Sequence, residues 1–308
     1  LAQRARTVSF DRPYDHDGSA DFLGNELPLV SLVESEGLDV TYWTDVDLDR
    51  EPQLLLNHRA LLTLGHDEYW STAMRTGAEQ ARDQGVNLAF LGANAIFRHV
   101  RFDSSDLGPD RHVVDYKSAT EDPVTDPSEK TVDWRASPLN RPENALIGEQ
   151  YECNPVNADM VVFDPSSWLL DGTGLQQGSD LPGLVGTEYD RYLPSASAPP
   201  NVTVIAHSPV KCQGKPSYSD MTYYSAPSGA GVFATGTGWW VNSLSAPCPD
   251  GGCRHSDAAV AITLNLLQAF GAGPAGRAHP SVSNIDQLPN RGRPLPGEVS
   301  STGRAGRD

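Results

Sequence analysis

The stretch whose side chains offer the most chemistry runs from Gly65 to Trp70 and reads Gly-His-Asp-Glu-Tyr-Trp. It follows an apolar run over 60–64 and precedes Ser71, a good N-cap for an amphipathic helix that ends near Gly85. Strand, polar loop and helix in this order place the loop at the carboxyl end of the strand, where open α/β sheets bind ligands. The alternative is a solvated loop whose Tyr and Trp pack on their neighbours.

Within this loop His66 is the predicted catalytic residue, because an imidazole transfers protons near neutral pH. Substrate binding by His66, or an orienting hydrogen bond inside the loop, are the other interpretations. Asp67 and Glu68 have a simpler explanation as negative charges near the N-terminus of the following helix, where the helix dipole favours them.

Four more polar residues lie next to predicted strands. Asn94 follows an apolar strand and is predicted to be catalytic, although capping the next helix also explains it. Arg12 and Tyr14 lie in a polar loop after the first strand and are predicted to bind substrate; a loop-bracing ion pair is the alternative for Arg12. Glu188, with Asp190, forms an acidic cluster near a later strand end and is also predicted to bind substrate.

The elements that must position these residues alternate regularly in the first hundred residues. Apolar patterns predict strands at 7–10, 40–43, 60–64 and 86–91, and helices at 25–36, 48–56 and 71–85. This alternation predicts an α/β fold with a mostly parallel, doubly wound sheet. Tyr14, Asp45, Tyr69 and Asn94 would then lie at one edge of that sheet.

The second half of the chain is less regular. Residues of about 104–158 read as an irregular insertion within one domain spanning 1–273. The Pro-, Gly- and Arg-rich segment 274–308 predicts a flexible tail. Between the insertion and the tail, strands are predicted at 160–163, 184–186, 202–206, 221–224 and 232–235, and a helix at 258–270.

Composition narrows the classes of function. The net charge of −17 and the pI of about 4.7 argue against nucleic acid or anionic membranes as partners. No apolar run has the length of a membrane-spanning helix, so membrane insertion is not expected. The chain begins with Leu rather than Met, which predicts a fragment or a processed form.

The four cysteines predict an oxidising compartment, and hence a secreted or periplasmic protein. Cys248 and Cys253 bracket a short turn and are predicted to pair, which leaves Cys153 to pair with Cys212. A structural zinc site is the alternative, although the spacing is not that of paired CxxC motifs.

Several motifs in order make the chain resemble the N,N-dimethylformamidase large (beta) subunit family, in its C-terminal domain, over roughly residues 7–270. They are the loop from Gly65 to Trp70, Asp11 to Tyr14, Tyr42 to Leu48, Gly92 to Asn94, Asp220 to Tyr224, and Gly231 to Thr237. The resemblance implies a fold like that of class I glutamine amidotransferases, a flavodoxin-like sheet with added strands. No cysteine here lies at a strand-to-helix turn as a nucleophile would.

The resemblance also implies a mononuclear iron held by two tyrosine phenolates and one glutamate. Tyr69 matches the tyrosine of the loop, and Glu149 matches the glutamate by order and approximate distance. Pro28 stands where the second tyrosine would fall, so Tyr42 is predicted to replace it, and Tyr14 is an alternative; either is otherwise a packed aromatic side chain. Water on such an ion attacks an amide carbonyl that the same ion polarises.

The resulting expectation is an amidohydrolase-like domain that cleaves a C–N bond in a small-molecule amide. One alternative is a metal-independent hydrolase in which His66 and Glu149 act as acid and base. Another is a non-catalytic module of the same fold that binds a ligand or a glycan. The substrate and the oligomeric state stay open at this level.

Overall fold

A computed structural model describes residues 4–14, 19, 21–246 and 254–289 of the protein. The strands are Thr7–Ser9 (β1), Ala60–Gly65 (β2), Tyr69–Trp70 (β3), Asn87–Gly92 (β4), Arg98–His99 (β5), Arg101–Ser105 (β6), Gly108–Val114 (β7), Gln150–Val161 (β8), Asp180–Arg191 (β9), Thr203–Cys212 (β10), Lys215–Ser225 (β11) and Gly231–Ala234 (β12). The helices are Phe22–Asn25 (α1), Leu27–Ser35 (α2), Asp45–Arg50 (α3), Thr72–Asp83 (α4), Asn144–Ile147 (α5), Asp257–Ala272 (α6) and Ala275–Ala278 (α7).

The largest sheet has five strands in the order β10-β11-β12-β4-β2. The pairs β2/β4 and β4/β12 are parallel, whereas β10/β11 and β11/β12 are antiparallel. The sheet is therefore mixed, and its central parallel strands come from distant parts of the chain.

Smaller sheets surround it. β1, β7 and β6 form an antiparallel sheet of three strands, and β8 pairs with β9 in a long antiparallel ribbon. β3 and β5 form a short parallel pair beside the polar loop.

The predicted mostly parallel, doubly wound, flavodoxin-like sheet of the class I glutamine amidotransferase type is therefore wrong. Of the four predicted N-terminal strands, only those at 60–65 and 87–92 pair with each other. The first strand pairs antiparallel with β7, and residues 40–43 form no strand. Apolar patterns report which face of a segment is buried, but not which strand becomes its neighbour.

Both faces of the main sheet are covered, which explains the apolar character of β4. Leu88 and Phe90 pack with α4 on one face, while Ala89 and Leu91 pack with α2 and α6 on the other. α4 begins where predicted, because the Ser71 hydroxyl accepts a hydrogen bond from the Met74 backbone N–H.

Two glycines bring the carboxyl ends of β2 and β4 together. Gly65 pairs with Gly92, and a Cβ on Gly92 would lie 2.0 Å from the Gly65 carbonyl oxygen. Gly65 has φ of +55°, and a Cβ there would lie 2.6 Å from the Cβ of Asn25. The loops after both strands thus begin side by side, as predicted for Tyr69 and Asn94. The same prediction is wrong for Tyr14 and Asp45, because Tyr14 follows a strand of another sheet and no strand precedes Asp45.

The predicted bond between Cys153 and Cys212 is confirmed; it joins β8 to β10 with an S–S distance of 1.99 Å. Cys248 and Cys253 lie outside the described residues, so their pairing stays a prediction. Among the described residues no helix is both long and apolar enough to span a bilayer.

The segments predicted as insertion and tail contain some regular structure. β6, β7 and α5 lie in or border the range 104–158, and β8 begins within it. After residue 273, Ala275 and Leu288 are buried, and the Asn284 side chain bonds both the N–H and the carbonyl of Val204. The predicted domain boundaries stay a prediction.

Candidate functional site

His66 lies between two carboxylates at the carboxyl end of β2. Its Nε2 is 3.0 Å from Glu188 Oε2 and 3.4 Å from Glu68 Oε2. The His66 side chain is 40% exposed, whereas those of Glu68 and Glu188 are 11% and 14% exposed. The contact with Glu188 is the main cause that raises the pKa of His66 above its ordinary value, and it outweighs the opposing effect of burial.

Glu188 lies on β9 and is held from several directions. The Asn154 Nδ2 donates to Glu188 Oε1 at 2.6 Å, and the opposite oxygen faces His66. Burial alone would raise the pKa of Glu188, but hydrogen bonding from His66, Asn154 and Asn94 lowers it below the ordinary value. Glu188 is therefore an ionised partner for the imidazole.

Asn94 connects the loop after β4 to β9. Its backbone has φ of +61°, in the left-handed region that Asn tolerates better than most residues. The Asn94 N–H donates to Asp190 Oδ1 at 2.7 Å, and its side chain contributes to lowering the pKa of Glu188. Asn94 is thus a buried residue beside Glu188 and Asp190. It caps no helix among the described elements.

Behind Asn94 lies a group of buried acids. Burial, with smaller effects from neighbouring charges, raises the pKa of Asp190 to about 8. Glu149 is fully buried, and burial followed by the charge of Asp190 raises its pKa well above the ordinary value. Hydrogen bonding from the Thr222 side chain and backbone opposes this rise in the pKa of Glu149. Glu149 therefore lies in the interior, beside Asp190 and Thr222.

Tyr69 lies among charged side chains. Burial, followed by the charges of Glu68 and Asp115, raises the pKa of Tyr69 above its ordinary value. The Lys117 ammonium lies 5.6 Å from the centre of the Tyr69 ring. In these surroundings the phenol stays protonated at neutral pH.

The remaining predicted site residues lie at the surface. Tyr42 is 55% exposed, and its hydroxyl donates to Glu34 at 2.8 Å. Tyr14 is 68% exposed. The Arg12 side chain is exposed and donates to the Ser9 carbonyl at 3.1 Å. Nothing in these contacts connects the three residues to His66.

The structure thus brings together His66, Glu188 and Asn94, buries Glu149 near Asp190, and puts Tyr69 beside Glu68. The predicted iron ligands have different neighbours in the described part of the chain: Glu34 for Tyr42, Glu68 for Tyr69, and Asp190 for Glu149. Among the described residues no group of three or more His, Cys, Asp or Glu side chains is arranged to hold a metal. Iron binding stays a prediction, and metal analysis of the desalted protein measures it.

Sequence reasoning missed two residues on β8, Tyr151 and Asn154. The Asn154 Nδ2 that binds Glu188 also donates to the Tyr151 hydroxyl at 3.0 Å. Burial, then the charges of Glu188 and Asp190, raise the pKa of Tyr151, so its hydroxyl stays protonated. Both residues also line a cavity of about 320 Å³ that extends to the Cys153–Cys212 bond. Their proximity to Cys153 in the sequence was the one available signal.

The Arg98 guanidinium balances part of this negative charge. Arg98 Nε lies 3.4 Å from Glu68 Oε1, and its Nη1 is paired with Asp133. Since Glu68 also faces His66, it is shared between the imidazole and the guanidinium. The arrangement provides a half-exposed imidazole, an ionised carboxylate partner and two protonated phenols, which together can carry out acid–base chemistry on a polar bond.

Comparison with known proteins supports the resemblance seen in the motifs. A search of curated proteins gave no match to the chain. A family profile described as N,N-dimethylformamidase beta subunit-like, C-terminal, matches residues 1–253. The match covers most of the 308 residues and includes His66, Glu188 and Asn94. The chain therefore belongs to the N,N-dimethylformamidase beta subunit-like, C-terminal family.

Proposed function

We propose that the chain is an amidohydrolase that cleaves the C–N bond of a small amide, with His66 as the residue that moves the proton. The observation that carries this proposal is the 3.0 Å contact between Nε2 of a half-exposed imidazole and the ionised Glu188. Membership of a dimethylformamidase-like family supports the choice of an amide bond. The disulfide supports a secreted or periplasmic setting.

The position of the two carboxylates assigns the nitrogens of His66. Because Nε2 faces Glu188 and Glu68, this nitrogen carries the proton, and Nδ1 is left as the base. Nδ1 takes a proton from water as the water oxygen adds to the amide carbon. The resulting imidazolium is stabilised by Glu188, as a carboxylate partner does in other acid–base pairs.

The developing oxyanion requires hydrogen-bond donors, and the phenol of Tyr151 has the right chemistry. Its oxygen accepts from Asn154, which leaves its own proton free to donate. The imidazolium then returns its proton to the leaving nitrogen as the C–N bond breaks. The products are a carboxylic acid and an amine, so atoms and protons balance.

An activity panel tests the proposal. Purified protein is incubated with formamide, acetamide, N-methylacetamide and N,N-dimethylformamide, and amine or ammonia release is followed by proton NMR. Since Pro28 stands where the relatives are expected to have a tyrosine, we expect no useful turnover of N,N-dimethylformamide. His66→Gln should lower turnover of any accepted amide by about a hundredfold or more.

The matched control is His112→Gln, since His112 lies on β7 and outside the site. It should keep the wild-type rate. If the wild-type protein binds amides, with chemical-shift changes at His66, but releases no amine, the chain is a ligand-binding module and not an enzyme. Equal loss of activity in both histidine variants would also contradict the role given to His66.

A further inference from the structure

We propose that Asn154 is a positioning residue, which holds the Glu188 carboxylate against His66 and acts on the proton transfer only through Glu188. The effect on proton transfer rests on the proposed function. The contact between Asn154 and Glu188 does not depend on that function, and its effect on the pKa values of His66 and Glu188 is measured without a substrate.

The Asn154 amide uses both of its hydrogens. Nδ2 lies 2.6 Å from Glu188 Oε1 and 3.0 Å from the Tyr151 hydroxyl oxygen. A primary amide nitrogen has two N–H donors, so each acceptor receives one. Glu188 is thereby held at both oxygens, with Oε1 on Asn154 and Oε2 on His66. Rotation of the carboxylate about its last bond would break both contacts.

The backbone near Asn154 is anchored twice to the hairpin formed by β10 and β11. The preceding residue, Cys153, is bonded to Cys212 on β10. The Asn154 carbonyl accepts from Gln213 Nε2 at 3.3 Å, in the turn that follows Cys212. The β10–β11 hairpin therefore holds β8 by a covalent bond and a hydrogen bond. These two bonds restrict the orientation of the Asn154 side-chain amide.

The second acceptor is equally restrained. The Tyr151 ring packs against Phe97, with 5.1 Å between ring centres. Phe97 in turn lies under the guanidinium groups of Arg98 and Arg135, at 4.7 Å and 5.0 Å from the ring centre. Tyr151 thus offers a fixed oxygen that orients the Asn154 amide toward Glu188.

Loss of the amide changes the electrostatics in a predictable direction. Without the Asn154 donor the charged form of Glu188 is less stabilised, and its pKa rises. A carboxylate that turns away from Nε2 stabilises the imidazolium less, so the pKa of His66 falls toward its ordinary value. The Asn94 side chain also lowers the pKa of Glu188, so part of the stabilisation of the carboxylate remains in the variant.

The test is an NMR titration of the full chain, labelled so that the His66 ring and the Glu188 carboxyl are followed directly. Asn154→Ala should lower the pKa of His66 and raise that of Glu188. Asn157→Ala is the matched control, because Asn157 is exposed on the same strand and should change neither. Asn154→Asp keeps the shape but removes the donor, and should raise the pKa of Glu188 further through like charge.

A double variant separates positioning from a general loosening of the fold. In a Glu188→Gln background, Asn154→Ala should cause no further shift of His66, because its effect passes through Glu188. A shift of the same size in that background would overturn the proposal, as would unchanged titrations in Asn154→Ala. If Asn154→Ala does not fold, Asn154→Asp tests the proposal instead, and an unchanged pKa of Glu188 in that variant would overturn it.

If the wild-type protein hydrolyses an amide, steady-state kinetics provide a second measurement. Asn154→Ala should lower kcat by about ten- to a hundredfold with little change in KM, as a misplaced catalytic group does. Absence of any amidase activity in the wild-type protein would refute the proposed function, but would leave the titration result intact. An unchanged titration in an active enzyme would instead refute the role of Asn154 alone.

Discussion

At the scale of single residues, His66 shows two opposed effects on one proton. Partial burial lowers the pKa of His66, while the contact with Glu188 and the nearby charges of Glu68 and Asp21 raise it. The contact with Glu188 is the largest of these, so the net change is upward. The consequence is an imidazole that stays protonated to higher pH than a solvated histidine would.

This sets the expected pH dependence of activity. Only the neutral imidazole accepts a proton, so turnover should rise as pH increases through the pKa of His66, at a value above about 6.5. Glu188→Gln removes the charge that holds the proton on Nε2, and should move this rise to lower pH while lowering kcat. The measurement is kcat/KM against pH for both proteins. A rise at the same pH in both would exclude Glu188 as the partner.

Glu149 gives a stability prediction that needs no substrate. Its raised pKa means that Glu149 keeps its proton to higher pH in the folded protein than in the unfolded chain, where it ionises above about pH 4.3. Stability is therefore fully present at low pH and falls as pH rises toward the folded-state pKa. Glu149→Gln mimics the neutral acid, so its free energy of unfolding should fall less with pH and should equal or exceed that of wild type near pH 8.

The control for Glu149 is Glu143→Gln. Glu143 is equally buried, but it is paired with Arg135, so the same change leaves a buried guanidinium without its carboxylate. The expected loss is about 3–5 kcal/mol. Urea unfolding across pH 5–9 compares the two variants. A strong loss of stability in Glu149→Gln at neutral pH would mean that the native protein needs the ionised carboxylate.

At the scale of elements, the site depends on the contact between the β8–β9 ribbon and the main sheet. β9 contributes Glu188 and Asp190, β8 contributes Asn154, and the loop after β2 contributes His66. β8 and β10 are joined covalently by Cys153 and Cys212. The ribbon is therefore fixed to the sheet near the point where it supplies these side chains.

Removal of this bond should lower stability. The Cys153→Ser, Cys212→Ser double variant opens a loop closed over 59 residues, and the expected loss is about 2–4 kcal/mol in the free energy of unfolding. Denaturant unfolding of both proteins with and without a reductant measures it, because wild type and the double variant should match once both are reduced. Equal stability of oxidised wild type and the double variant would contradict a stabilising role for the bond.

At the scale of the whole molecule, the segment after α6 packs against the edge of the main sheet. Asn284 bonds both backbone groups of Val204 at 2.8 Å, and this satisfies part of the exposed edge of β10. Tyr223 donates to the His279 carbonyl at 2.9 Å. The described part of this segment therefore contributes to the fold.

A pair of truncations tests where the domain ends. A chain that ends at residue 289 should unfold at the same temperature as the full chain. A chain that ends at residue 273 loses the buried Ala275 and Leu288 and the bonds of Asn284, so its midpoint should fall by several degrees. Thermal unfolding followed by circular dichroism compares the three. Identical midpoints would place the boundary at 273, as the sequence predicts.

The sequence by itself determined several local elements and the polar loop that contains His66. Ser71 and the apolar spacing predict α4, the apolar run predicts β4, and the polar loop between β2 and α4 contains His66. These features depend on capping and on hydrophobic period, which act between residues close in the chain. The Cys153–Cys212 pair was also predicted, because an even set of cysteines leaves few ways to pair.

Only the tertiary structure decided which strands are neighbours and which acids meet His66. β12 lies beside β4 although about 140 residues separate them, and Glu188 reaches His66 from a distant ribbon. No local sequence pattern distinguishes Asn154, and its amide reaches Glu188 only because β8 and β9 pair. Long-range strand pairing depends on the summed packing of many segments. The hydrophobic periodicity of one segment does not specify which strand lies beside it.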